Sequence, residues 1–324
     1  MQKLLYSLSI IIIGLIIGYI IQRLTLKGII KADKSLSKQR KFLQAIAILV
    51  LFPISTIGAL WDFNFNNLSL ALLPLVGIVA LFVGGFSALF VTKIFKYNKK
   101  QAGAFVSCGG MSNIGSIGAL IVFVFLGEKA FALVPIYKLF EQIIYYTLWF
   151  PIAKSYSVTA EKDNNKNKLL TIIKDPYILV ATISIIIGLI LNVLQIPRPS
   201  FYSQLNAFII PSGSLILLAS IGMAMKFSKV SGYKKSATLI SIIKYIIVPL
   251  ISTTVAYLFG FGNIDNGLPL KVVLILSSVP VGFLALVPPT LYDLDLDLAN
   301  ANWLVTTALL TIVIPLQMLI ISFI

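Results

Sequence analysis

Ten apolar stretches, each about long enough to cross a bilayer, decide what this chain can fold into. They run approximately over 4–24, 42–61, 68–94, 101–126 and 131–153 in the first half, and over 176–194, 203–225, 237–261, 268–291 and 298–324 in the second. A helix rises about 1.5 Å per residue, so about 20 such residues span the hydrocarbon core. With their loops the stretches use up all 324 residues. Charged residues make up only 11% of the chain and the mean hydropathy is +0.98, against about 25% charged in a soluble domain. A conventional soluble enzyme, a nucleic-acid reader and a secreted scaffold are excluded. The expected fold class is an all-α polytopic membrane protein with ten transmembrane helices.

The stretch after Lys3 lacks a small-x-small cleavage signal and is longer than a signal-peptide core, so it reads as a retained first span. Of the 26 basic residues, 20 fall in the loops after spans 1, 3, 5 and 7. Those are Arg23 to Lys41, Lys93 to Lys100, Lys154 to Lys174 and Lys226 to Lys235, while the alternate loops hold almost none. The positive-inside rule makes these four loops cytoplasmic and both termini extracytoplasmic, in a multi-pass protein of the cell membrane. The net charge of +15 is then a rim facing anionic lipid, with no nucleic-acid partner implied. Asp293, Asp295 and Asp297 depart from the pattern. Alternating carboxylates suit calcium, but the glycine turn and distal glutamate of a calcium loop are missing, so a solvated helix connector is expected. With no histidine and only Cys108, no metal site, cofactor or catalytic constellation is expected, and the chain is not read as an enzyme. The Ile-, Lys- and Asn-heavy usage is that of an AT-rich bacterial genome.

The polar segment 155–174 has the composition of a linker, with five spans before it and five after. An odd number of spans forces a second copy of the unit to enter with opposite topology. Two inverted five-helix repeats, 1–154 and 175–324, are therefore expected, as in secondary transporters. Two spans do not read as continuous helix. Span 4 carries four glycines and three serines between Ser107 and Gly118, and each mid-helix glycine costs about 1 kcal/mol. Span 9 carries Pro280, Gly282, Pro288 and Pro289, and interior proline removes a backbone bond. The breaks lie about 106 and about 108 residues into their halves. Matched interruptions are the best sequence pointer to a transporter binding site. Broken helices expose N–H donors and a positive dipole end suited to an anion. Close packing of small residues and simple proline kinks are the alternatives.

The stretch Ser112-Asn113-Ile114-Gly115-Ser116-Ile117-Gly118, followed by Phe125-Leu126-Gly127, resembles the auxin efflux carrier superfamily, the bacterial permeases related to plant PIN-type carriers. So does Val279-Pro280-Val281-Gly282, followed by Tyr292-Asp293 and a last span from Asn302 to Pro315; Pro53 also stands at a similar position. The resemblance covers essentially the whole chain. It implies a scaffold and a transport domain, broken helices 4 and 9 crossing near the midplane, an elevator-like movement, a homodimer and an organic anion as substrate. It places the site at Ser112, Asn113, Gly115, Ser116, Pro280, Gly282, Leu284 and Ala285, with Asn113 as the carboxylate-binding residue. An amide suits that role without a buried charge. The plant carriers' crossover prolines would fall at Ser112 and Ala285, and a second asparagine found in many bacterial members would fall at Leu284. A site that is more apolar there favours a monocarboxylate or a larger hydrophobic anion.

Lys138, Glu141 and Lys244 lie within spans, where ionisable groups are functional candidates. Either lysine would neutralise an anion, and Glu141 would carry a proton or sodium ion. Alternatively Lys138 and Glu141 pair, being three residues apart. Moving one charge through 100 mV is worth about 2.3 kcal/mol, so export of an anion from a negative-inside cell needs no coupling ion. Uncoupled carboxylate transport is the reading. The rivals are a proton- or sodium-coupled uptake permease and a membrane ligand sensor that does not translocate.

Overall fold

The computed structural model describes residues 2–29, 36–63, 67–157, 175–225, 227 and 230–324. Most of the expected linker, 158–174, and several of the basic loop residues lie outside the described residues. Among the described residues every regular element is helical, and the extended pairing is a single antiparallel bridge between Ser112 and Val281. Seven helices are long and apolar enough to cross a membrane: Gln2–Leu26, Leu36–Trp61, Leu68–Ile94, Pro176–Val193, Phe201–Gly222, Val230–Leu258 and Leu296–Ile321. The chain is thus a multi-pass membrane protein.

The other three expected stretches are interrupted. Span 4 is helical over Lys99–Gly110, extended at Met111–Asn113, and helical again through Ile114–Gly118 and Ala119–Leu126. Span 9 is helical over Leu268–Ser277, extended over 279–282, and resumes at Phe283–Leu286 and Val287–Leu291. Span 5 reads in the sequence as one continuous helix but is divided into Glu128–Phe131, Leu133–Tyr137 and a run over 141–155 that passes through the π turn Tyr145–Trp149. Pro135 cannot donate to the preceding turn, and residues 138–140 form a turn rather than helix.

Prolines also set the local pitch. Pro53, Pro151 and Pro249 each lack the N–H that would reach back four residues, and each ring needs room there. Just ahead of each, the helix widens into a π turn, at Ala47–Leu51, Tyr145–Trp149 and Ile243–Ile247. The residue before each proline donates five back: Phe52 to Ala47, Phe150 to Tyr145 and Val248 to Ile243. Such π turns redirect the side chains they carry and are frequent at functional sites. Two of these three carry Tyr145 and Lys244.

The chain divides into two compact units, 1–66 with 115–136 and 175–225, and 67–114 with 137–174 and 226–324. Each draws on both sequence halves. In the first unit Gln2–Leu26 packs on Phe201–Gly222 along a seam of small residues. A methyl group at Gly14 would stand 2.7 Å from Leu218 Cβ, and one at Gly18 would overlap the backbone of Ala219. Small residues let helices approach this closely where lipid offers no hydrophobic drive. Arg198 ties the same unit together at one end. It donates to Gly58 O at 2.8 Å and Ser203 Oγ at 2.8 Å and lies 2.5 Å from Glu128 Oε1, which also accepts from Asn206 Nδ2 at 2.7 Å. Asp62, mostly exposed, stands 3.5 Å from this arginine.

In the second unit Leu73–Ile94 packs on Lys99–Gly110 through Gly84, Ala88 and Gly109. Trp149 lies flat against Gly110 and Gly85, with Phe82 and Phe86 edge-on to its ring. The acidic run behaves as a connector: Asp295 caps Leu296–Ile321 through Leu298 N at 2.9 Å and accepts from Tyr233 Oη at 3.0 Å, while Asp293 pairs with exposed Lys100.

Candidate functional site

The two breaks meet inside the second unit. Asn113 N donates to Pro280 O at 3.0 Å and Gly282 N donates to Met111 O at 3.1 Å, which makes the antiparallel bridge. Glycine at 282 is required by this approach, because a methyl group there would stand 2.8 Å from Ser112 O and 2.9 Å from its carbonyl carbon. Both are rigid backbone atoms. Gly282→Ala is therefore expected to push the crossing apart at a cost of about 1–3 kcal/mol, read as a lower Tm together with slower transport; an unchanged Tm would refute this tight contact.

The next neighbours also serve the backbone. Ser112 N donates to Tyr145 Oη at 2.9 Å, and Val281 N donates to Thr306 Oγ1 at 3.3 Å. A hydroxyl from span 5 thus accepts at one break and a hydroxyl from span 10 at the other. The carbonyl ends of the broken helices are satisfied as well. Lys244 Nζ donates to Gly109 O at 2.8 Å, Met111 O at 3.0 Å and Ser112 Oγ at 2.9 Å. Gln317 Nε2 donates to Ser278 O at 3.1 Å and Ser278 Oγ at 2.6 Å. Unwound backbone at this depth must find such partners.

This changes one sequence-based expectation. The breaks were expected to offer bare N–H donors, yet those of Ser112, Asn113, Val281 and Gly282 are all taken by protein oxygens. The crossing spends these donors on its own geometry.

Glu141, Tyr145 and Trp149 follow at four-residue spacing along span 5. Tyr145 Oη donates to Glu141 Oε1 at 2.8 Å, and Glu141 Oε2 lies 3.6 Å from Lys138 Nζ. Glu141 is 5% exposed and Lys138 31%, so the pair links the crossing to a more accessible cation. Lys244 is 1% exposed and forms no ion pair among the described residues.

Of the residues singled out from the sequence, Ser112, Asn113, Pro280, Gly282, Lys138, Glu141 and Lys244 all fall in the second unit. Leu284 and Ala285 lie in the short turn just after its break, the first half-buried and the second buried. Gly115 and Ser116 follow in the π turn Ile114–Gly118 and are counted with the first unit. Asn113 is 7% exposed. Sequence reasoning missed Tyr145, Thr306 and Gln317. The four-residue stripe through Glu141 was the signal for the first, and isolated polar residues in the apolar last span were the signal for the others.

A chain with two broken, mutually paired spans inside a bundle of apolar helices has the design of a carrier. Comparison with known proteins agrees. An uncharacterized transporter of Methanocaldococcus jannaschii is 26% identical over 319 residues, covering 95% of each chain. An uncharacterized transporter of Methanothermobacter thermautotrophicus is 25% identical over 131 residues, 40% of this chain and 42% of its own. Both organisms are archaea, so these relatives do not single out the bacterial branch. The profile of the membrane transport protein family matches residues 11–318, and the chain belongs to that family of membrane transporters.

Proposed function

We propose that this transporter is a ten-span, uncoupled carrier of an organic anion, a carboxylate, working by alternating access with an elevator-like movement. The observation that carries the reading is the crossing itself. Two broken spans pair beside Asn113, and the adjacent buried ammonium of Lys244 is balanced by carbonyl and hydroxyl oxygens rather than by a carboxylate. A cation of this kind favours an anion nearby, because charge interactions are strong in a poorly hydrated interior. The amide of Asn113 supplies donors without a further charge. The opposite pattern, a carboxylate facing the crossing with no partner, would suit a cation substrate.

The matched hydroxyls, Tyr145 on span 5 reaching span 4 and Thr306 on span 10 reaching span 9, support two inverted five-span repeats, 1–154 and 175–324. The basic-loop asymmetry supports extracytoplasmic termini. A homodimer is part of the same proposal.

Counterflow of labelled mono- and dicarboxylates into proteoliposomes, with and without a potassium diffusion potential, tests the function. Accumulation that follows voltage and ignores pH and sodium gradients is the expected result. No flux of any carboxylate through folded protein would refute it. A second reading, proton-coupled uptake, has one observation in its favour: Glu141 is buried and joined through Tyr145 to the crossing. Accumulation driven by a pH gradient and lost in Glu141→Gln would favour it.

A further inference from the structure

We propose that the ammonium of Lys244 is a tethered stand-in for a monovalent cation, and that the oxygens around it form a cation site which this protein keeps permanently filled. Three oxygens converge on Nζ at 2.8–3.0 Å, two of them backbone carbonyls and the third a hydroxyl. Backbone carbonyls of this kind replace the hydration shell of alkali cations. Gly109 O and Met111 O lie at the end of the helix Lys99–Gly110, where carbonyls lack intrahelical donors and the dipole is negative. A positive charge is therefore favoured there whatever carries it. Among the described residues no carboxylate touches the ammonium; this suits a single charge rather than calcium or magnesium, which draw on acidic ligands.

The placement is built rather than incidental. Long lysines in spans normally reach for an interface, but Lys244 is 1% exposed and directed inward. It sits in the π turn Ile243–Ile247 that Pro249 imposes, so its direction is set by backbone. The corresponding helix end at the other break, in span 9, is held differently, by the neutral amide of Gln317 on Ser278. One end of the crossing thus needs a charge and the other does not. A filled site leaves no place there for sodium, so the charge moves with the protein and is not consumed in each cycle.

Thermal stability in detergent tests this independently of any substrate. Lys244→Ala should melt below the wild type in choline chloride. It should regain about 3 °C or more, saturably, as sodium, potassium or ammonium replaces choline at constant ionic strength. The wild type should show no such response; a saturable shift in the wild type overturns the proposal without any variant. A Lys244→Ala protein that melts like the wild type in choline, or that is destabilised with no response to any of the three cations, also overturns it. Should that variant not be recovered in choline, Lys244→Ser, a smaller polar replacement that leaves the three oxygens in place, is solubilised in each salt. Recovery in a small cation and not in choline is the supporting result, and failure in all salts counts against the site.

Discussion

Gly109→Val is expected to abolish recovery of folded, monodisperse protein. Gly109 faces the helix Leu73–Ile94, and a methyl group there would overlap Ala88 Cβ and stand 2.6 Å from Gly84 O. Neither neighbour is the end of a flexible side chain, so the two helices must separate. Overpacking of this kind costs about 1–3 kcal/mol even where neighbours yield. Valine adds two more carbons and a stiff χ1. Moving the helix also draws Gly109 O away from Lys244, and a hydrogen bond to a charged group is worth about 1.5–3 kcal/mol. Together these are a large share of the 5–15 kcal/mol, roughly, by which a domain is stable. Gly232→Val is the control, because a methyl group there meets nothing within 4 Å. Size-exclusion profiles and melting curves of both variants decide the matter. A Gly109→Val protein with the wild-type Tm would mean the two helices do not approach as described.

Much of this was legible in the sequence because glycine and proline act on the backbone directly. The breaks in spans 4 and 9 follow from residues 107–118 and 280–289 without reference to any neighbour. The seven long helices follow from apolar length alone. The fragmentation of span 5 was harder. Pro135 was visible, but the turn at 138–140 leaves no composition signal, since Lys138-Leu139-Phe140 is an ordinary helical tripeptide. The partners were least legible. Lys244 stands out as a charge in an apolar span, yet its acceptors lie more than 130 residues away. Pattern says that such a group needs partners; only the fold says which. The same limit explains Thr306, which bonds within its own helix and also receives Val281 N. It explains too why compact units that mix spans from both halves were not apparent from the order of the spans.

Asn113→Ala is expected to slow carboxylate exchange by about 10–100-fold while leaving the protein folded. Its backbone N–H donates to Pro280 O across the crossing, and alanine retains that bond. The side chain is what the substitution removes. A hydrogen bond to a charged group is worth about 1.5–3 kcal/mol, and each 1.4 kcal/mol, about, is a factor of ten. Asn113→Asp separates recognition from size. It matches the asparagine in shape but places a negative charge where the proposed substrate brings its own, so it should fall at least as low as alanine. Lys244 lies one residue away, on Ser112 Oγ at 2.9 Å. An aspartate at 113 would therefore compete with substrate for the attraction of that ammonium, and the protein should melt no lower than the alanine variant. Initial counterflow rates at several substrate concentrations, with melting curves on the same preparations, make the comparison. Wild-type rates in Asn113→Ala, or faster exchange in Asn113→Asp, would remove Asn113 from the site and with it the case for an anion at this crossing.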